Sequence, residues 1–168
     1  MNINEILSDK TLKPKAKVEA LSQNIIAKKI SINDLMQFAE TAKDNEKGAC
    51  IEALEFTSRT DIKMINKKCF DFAVNYLGDK APRVKWECAK IIGNTAHLFR
   101  NDLDKAINNL LINAGYEGTV VRWSAAFALT EILKLKTEYN KKLLPKIAKV
   151  YEKETKPNIR KMYLDALK

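Results

Sequence analysis

The nine residues VKWECAKII begin at Val84, and VRWSAAFAL begins at Val121. The same pattern, an apolar or acidic residue followed by a cation and then by small and aliphatic residues, opens EKGACIEAL at Glu46 and IRKMYLDAL at Ile159. The four starts are separated by 38, 37 and 38 residues. Self-similarity at this period marks stacked supersecondary units, none of which buries its apolar face without a neighbour. KVEAL, from Lys17 to Leu21, is a weaker echo that reads as a truncated first unit.

Each period is too long for one helix and suits a helical hairpin. With 5 Gly, 4 Pro and no clean strand alternation, the chain reads as helical nearly throughout. Upstream of the aligned segments, apolar residues recur at helical offsets: Leu35, Phe38, Ala39 and Ala42; Ile65, Cys69, Phe72, Ala73 and Tyr76; Leu103, Ile107, Leu110 and Ala114; Leu143, Ile147, Val150 and Tyr151. Ser31, Asp61, Asp102 and Thr137 stand where N-caps of these first helices, helix A of each repeat, are expected. Pro82 and Pro157 stand where the second helices, helix B, should begin. The expected organisation is one domain over 1–168, with an atypical N-terminal cap at 1–30 and repeats at 31–61, 62–100, 101–136 and 137–168.

An α-helix advances about 100° per residue, which places the helix B pattern on a wheel. Val84, Cys88, Ile91 and Ile92 form the expected buried stripe, repeated by Val121, Ala125, Ala128 and Leu129. Trp86 and Trp123 fall at roughly 200° from the stripe's origin, on the outward face. With them fall Lys90, Gly93 and His97 in one repeat and Phe127, Thr130 and Lys134 in the next. Gly48, Glu52 and Glu55 flank on one side, and Lys161, Asp165 and Lys168 on the other. An exposed aromatic strip marks an interaction site, so Trp86, Lys90, Trp123, Phe127, Lys134 and Lys161 are the candidate partner-binding residues. The alternative is that both indoles pack between repeats or under a turn.

These segments resemble the HEAT-repeat family, whose two-helix units carry an Asp in the turn and a Val-Arg or Val-Lys pair opening helix B. Here Asp79 precedes Val84 and Lys85, and Glu154 precedes Ile159 and Arg160 at the same spacing. Val121 and Arg122 have Tyr116 at the acidic position, and Lys47 lacks the apolar partner before it. Pro145 matches the proline common inside helix A of that family. The resemblance covers about residues 31 to 168 and implies an all-α fold, a right-handed α-α superhelix of about four hairpins. It also implies that helix B lines the concave surface. Asp79, Lys85, Arg122, Glu154 and Arg160 are then expected to form a structural charge ladder between turns and helices.

The charge is uneven. The chain holds 30 Lys+Arg against 21 Asp+Glu, for a formal net charge of +9, and only 5 of the bases are Arg. Between Lys134 and Lys168 stand 11 basic and 4 acidic residues. Such a balance suits an acidic partner, although Arg is the residue favoured for bidentate phosphate recognition. The sequence shows no activated nucleophile, glycine-rich phosphate loop or metal-ligand cluster, and His97 stands alone. Cys50, Cys69 and Cys88 are widely spaced and read as buried hydrophobes in a reducing compartment. With no signal peptide or membrane span, a cytoplasmic location is expected.

The expected function is a non-catalytic, cofactor-free interaction module or scaffold binding a protein or peptide partner through helix B. The alternative is non-specific nucleic-acid binding. The chain is similar in repeat design, charge and indoles to the HEAT-like DNA alkylation repair glycosylases. It departs from them where chemistry would reside, with Lys90 and Phe127 standing four residues after the tryptophans.

Overall fold

A computed structural model describes all residues, 1–168. It contains ten α-helices and no strand: α1 (Ile3–Ser8), α2 (Pro14–Ile26), α3 (Ile32–Thr41), α4 (Asp44–Thr60), α5 (Lys67–Tyr76), α6 (Pro82–Thr95), α7 (Asp104–Asn113), α8 (Thr119–Lys134), α9 (Asn140–Lys153) and α10 (Pro157–Leu167). The repeats read from the sequence are hairpins α3–α4, α5–α6, α7–α8 and α9–α10. The faint echo at Lys17 lies in α2, the second helix of a fifth, shorter hairpin. No helix is long and apolar enough to cross a membrane.

Packing divides the chain into two compact units, Met1–Phe72 and Ala73–Lys168. In the first, α2 and α3 both pack on α4, and a buried hydrogen bond of 2.8 Å joins Ser22 Oγ to Thr57 Oγ1 across α2 and α4. In the second, α6 packs along α8 and α8 along α10, while α7 and α9 cover them as the first helices of their hairpins.

Local chemistry explains most boundaries. Asn2 and Glu5 form a reciprocal capping box on α1, and the Ser31 side chain accepts the Asp34 N–H at the start of α3. Pro14, Pro82 and Pro157 take the first helical position, where a missing N–H costs nothing. The other three expected caps are corrected. Asp61 heads only a 3-10 turn at Ile62–Met64, and Asn66 caps α5 by accepting the Cys69 N–H at 2.9 Å. Helix α7 is entered through Leu103 and α9 through Tyr139, both in α-helical backbone conformation, so the turns before them wind directly into the helix. The Asp102 and Thr137 side chains therefore sit too early to cap.

The expected core is buried: Val84, Cys88, Ile91 and Ile92 on α6, and Val121, Ala125, Ala128 and Leu129 on α8, are all at most 1% exposed. The buried arc is wider than one stripe. Gly48, Glu55, Gly93 and Thr130, expected on the outward face, are buried as well. The reason is plain for α8, which carries α6 on one flank and α10 on the other, with α7 and α9 behind. Small residues let those axes approach. Ala128→Asp should strand a carboxylate in this contact and cost several kcal/mol, read from the urea midpoint.

Candidate functional site

The second unit presents the outer residues of α6, α8 and α10 as one helix-B face. On α8, the rings of Trp123 and Phe127, four residues apart, are stacked with centroids 6.0 Å apart and planes 10° apart. Trp123 is 37% exposed. Phe127 lies across α6 at Gly93, where an added Cβ would come within 2.4 Å of its ring. The glycine is a seat for the ring, which explains why a residue expected outside is buried. Beside Phe127 a cleft of about 410 Å³ opens between α8 and α10, with Leu133, Met162 and Ala166 in its lining and Glu131, Lys134 and Asp165 among its charged residues.

On α6, Trp86 is half-buried. Its indole N–H donates to Glu87 Oε1 at 2.9 Å, and Lys90 Nζ donates to Glu87 Oε2 at 3.1 Å. Glu87, buried and not foreseen, thus holds both candidates in place. Lys134 pairs with Glu131 at 2.5 Å, and Lys161 with Asp165 at 2.7 Å. The Lys161–Asp165 hydrogen bond raises the ammonium pKa and lowers that of the carboxyl. Of the six candidate residues, Trp123 and Phe127 are thus in direct contact, Trp86 and Lys90 share one carboxylate, and Lys134 and Lys161 are exposed on α8 and α10.

The charge-ladder candidates lie at the turn edge instead. Each cation one turn into helix B reaches carbonyls at the end of helix A or in the turn that follows it, within its own hairpin. Lys85 Nζ donates to Leu77 O at 3.3 Å; Arg122 Nη1 to Tyr116 O and Glu117 O at 3.1 and 2.8 Å; Arg160 Nη1 to Tyr151 O and Glu154 O at 2.8 and 2.9 Å. The Arg160 guanidinium also lies 4.3 Å from the Tyr151 ring centroid, and Lys85 Nζ 5.3 Å from that of Tyr116. Arg122 reaches onward to the next turn, where its Nε and Nη2 meet the Glu154 carboxylate at 2.9 and 3.3 Å. Glu154 Oε1 also accepts the N–H groups of Thr155 and Lys156. Asp79 Oδ1 accepts the Ala81 N–H at 2.8 Å.

Two members of this system escaped the sequence. Asn113 links the hairpins one step earlier, donating to Leu77 O at 3.0 Å and accepting from Lys85 at 3.5 Å. Lys17 donates to Leu7 O at 2.6 Å, doing for the first hairpin what Lys85 does for its own. A signal was present: Lys17 follows Pro14 by three residues, as Lys85 follows Pro82 and Arg160 follows Pro157. Nothing in the sequence distinguished Asn113 from an ordinary helix-end polar residue.

A cleft of about 530 Å³ opens over Arg122 and Glu154 at this edge. All three guanidinium nitrogens there are already engaged, so its base is a closed ion pair. Burial pushes the thiols of Cys50 and Cys69 up to about 12, far from a reactive thiolate. No cluster of three or more His, Cys, Asp or Glu side chains is placed to hold a metal ion.

No protein-family model matches this sequence, and no curated protein does. Solved structures do. A designed armadillo repeat protein superposes with a TM-score of 0.72 at 16% identity, over 98% of this chain and 79% of its own. Another, solved in complex with the peptide (KR)4, gives 0.72 at 15% identity over 99% and 80%. Computationally designed armadillo repeat proteins for modular peptide recognition give 0.74 at 16% identity over 98% and 79%. The fold is an armadillo-like helical-repeat solenoid. At such identities the likeness carries the fold alone.

Burial by itself raises the Glu154 pKa, but the Arg122 guanidinium and the two backbone N–H groups outweigh it and hold the carboxyl below its ordinary value. A lowered folded pKa contributes stability above the unfolded value and loses it as pH falls through the folded one. Glu154→Gln, which also leaves Arg122 uncompensated, should cost about 3 kcal/mol at neutral pH. Its deficit in urea midpoint against wild type should shrink as pH is lowered below about 4.3, the ordinary Glu value. Trp86→Ala, which removes a bond to a buried carboxylate, should cost about 2 kcal/mol or more. Trp123→Ala should cost less than about 1 kcal/mol, both read by thermal melting.

Proposed function

We propose that this chain is a non-catalytic module of the HEAT kind, binding a protein or peptide partner on its helix-B face with Trp123 and Phe127 as the anchor. The two-helix repeat supports HEAT over the three-helix armadillo unit. The observation that carries the binding site is the Trp123–Phe127 stack, in which Phe127 sits on Gly93 and Trp123 is 37% exposed. Solvent-facing aromatics that are already rigid lose little entropy when a partner covers them, and aromatic residues dominate the centres of protein interfaces.

The charges on this face favour an apolar contact. Lys90, Lys134 and Lys161 each meet a carboxylate of their own helix, so the strip offers little uncompensated charge to a polyanion. The partner of this reading is a segment that lays an aliphatic or aromatic side chain on the Trp123–Phe127 stack and a second into the cleft beside Leu133 and Met162. The peptide in the designed neighbour is basic, and this chain's charge of +9 opposes a partner of that kind. A neutral or acidic peptide fits instead.

The test is selection of a random peptide library on the wild-type chain, followed by titration of the enriched peptides. Trp123→Ala should weaken them about 30-fold, the equivalent of about 2 kcal/mol. Gly93→Ala adds helix propensity of up to about 1 kcal/mol while dislodging the Phe127 ring, so it should leave melting within about 1 kcal/mol and weaken the same peptides. Enriched peptides that bind both variants as tightly as wild type would overturn the site.

A further inference from the structure

Of the net charge, most lies in the second unit: residues 73–168 hold 18 Lys+Arg against 10 Asp+Glu. Three of its helix-B lysines lie beside carboxylates, Lys134 on Glu131 and Lys161 and Lys168 sharing Asp165. Lys80, Lys136 and Lys156 are also exposed without an ion pair, but singly in the turns, and the concentrated uncompensated charge is on α9. Lys141, Lys142, Lys146, Lys149 and Lys153 are all exposed, and none has a carboxylate within ion-pair distance. Four of them, Lys142, Lys146, Lys149 and Lys153, are spaced by four, three and four residues. That spacing puts them within about 60° of one another around the helix and spreads them over about 16 Å of its length. The buried residues of α9, Leu143 and Ile147, anchor the helix with this row facing solvent.

The surroundings select the partner. Protein interfaces are built on aromatic and apolar anchors and are depleted of Lys. The aromatic side chains of α9 and its entry turn are already engaged: the Tyr139 hydroxyl donates to Asn101 O at 2.9 Å, and Tyr151 lies under Arg160. Single-stranded nucleic acid is held by bases stacked on free aromatics. A row of lysines without such a platform contacts phosphates instead, and duplex DNA presents one charge per about 1.7 Å of axis. Glu152 lies off the row, at about 90° from its centre, and Asp104 shares the small cleft lined by Lys142 and Lys146, so the row keeps its positive sign. We infer that the exposed face of α9 is a sequence-independent docking site for the phosphate backbone of a nucleic-acid duplex, separate from the helix-B strip.

The experiment is a fluorescence-anisotropy titration of a labelled 20-base-pair DNA duplex with the full chain, at salt concentrations from about 50 to 200 mM. Four phosphate contacts give a log–log salt slope of about −3.6, equal to about a 150-fold loss of affinity over that range. Replacing Lys142, Lys146, Lys149 and Lys153 together by Gln should abolish most of the binding at about 50 mM and flatten the slope by about 3. Replacing the exposed Lys10, Lys13, Lys15 and Lys43 of the first unit by Gln removes the same net charge and should leave the slope within about 1 of wild type. Circular dichroism and melting temperature should be unchanged in both variants, since exposed substitutions rarely shift stability measurably. No binding by wild type at about 50 mM salt, equal losses in the two variants, or retention of polyglutamate with no affinity for the duplex would each overturn the inference.

Discussion

Every hairpin in this chain must end one helix, reverse direction and begin the next, and the end of helix A leaves carbonyls with no intrahelical partner. A cation one turn into helix B fills that need in three hairpins, Lys17 in the first and Lys85 and Arg160 in later ones, while Arg122 bonds carbonyls of its turn. Positive charge at a helix C-terminus also opposes the negative end of its dipole. Arg122 then extends to Glu154, and Asn113 to Leu77, so the same edge ties a hairpin to its successor. Breaking this edge loosens both the turn within a repeat and the stack between repeats, which is why its residues belong to stability and not to recognition.

Once hairpins are stacked by their turns, the B helices are flanked on both sides. Helix α8 is the clearest case, with nine of the thirteen residues from Val121 to Leu133 buried. Most of its buried positions are Ala, Ser or Thr, whose small side chains let α6 and α10 approach. Polar groups buried by this crowding are bonded nearby: the Ser124 hydroxyl donates to Val121 O at 2.9 Å and that of Thr130 to Phe127 O at 3.0 Å. Close approach also explains the aromatic stack, because Phe127 crosses α6 only where Gly93 leaves room.

The electrostatics divide along the same lines. Lys90, Lys134 and Lys161 of the B helices each lie beside a carboxylate three or four residues away on their own helix. Helix α9 has one acid, Glu152, against five lysines. One face of the second unit is therefore aromatic and internally balanced, and another is a bare row of positive charge. The two surfaces suit different chemistries and are separable by substitution.

The sequence by itself determined the repeat period, the two-helix unit, the starts of α6 and α10 at Pro82 and Pro157, and the buried stripe through Val84 and Val121. Those features are local, written in helical periodicity and in residues that fix backbone angles, so they survive without knowledge of neighbours. The ladder cations were also legible, because a base recurs at one offset, as was the acid Glu154 that receives Arg122, whereas the carbonyl acceptors were not, being backbone groups brought near only by folding. Only the tertiary structure decided that Gly93 and Thr130 are covered, that Glu87 holds Trp86 and Lys90, and that Asn113 joins two hairpins. A helical wheel assumes one buried side, and α8 has neighbours on both. The lysines of α9 were visible as a surplus, but whether each had an acidic neighbour depended on side-chain proximity in space. That proximity separates the neutralised lysines of α8 and α10 from the unpaired row on α9.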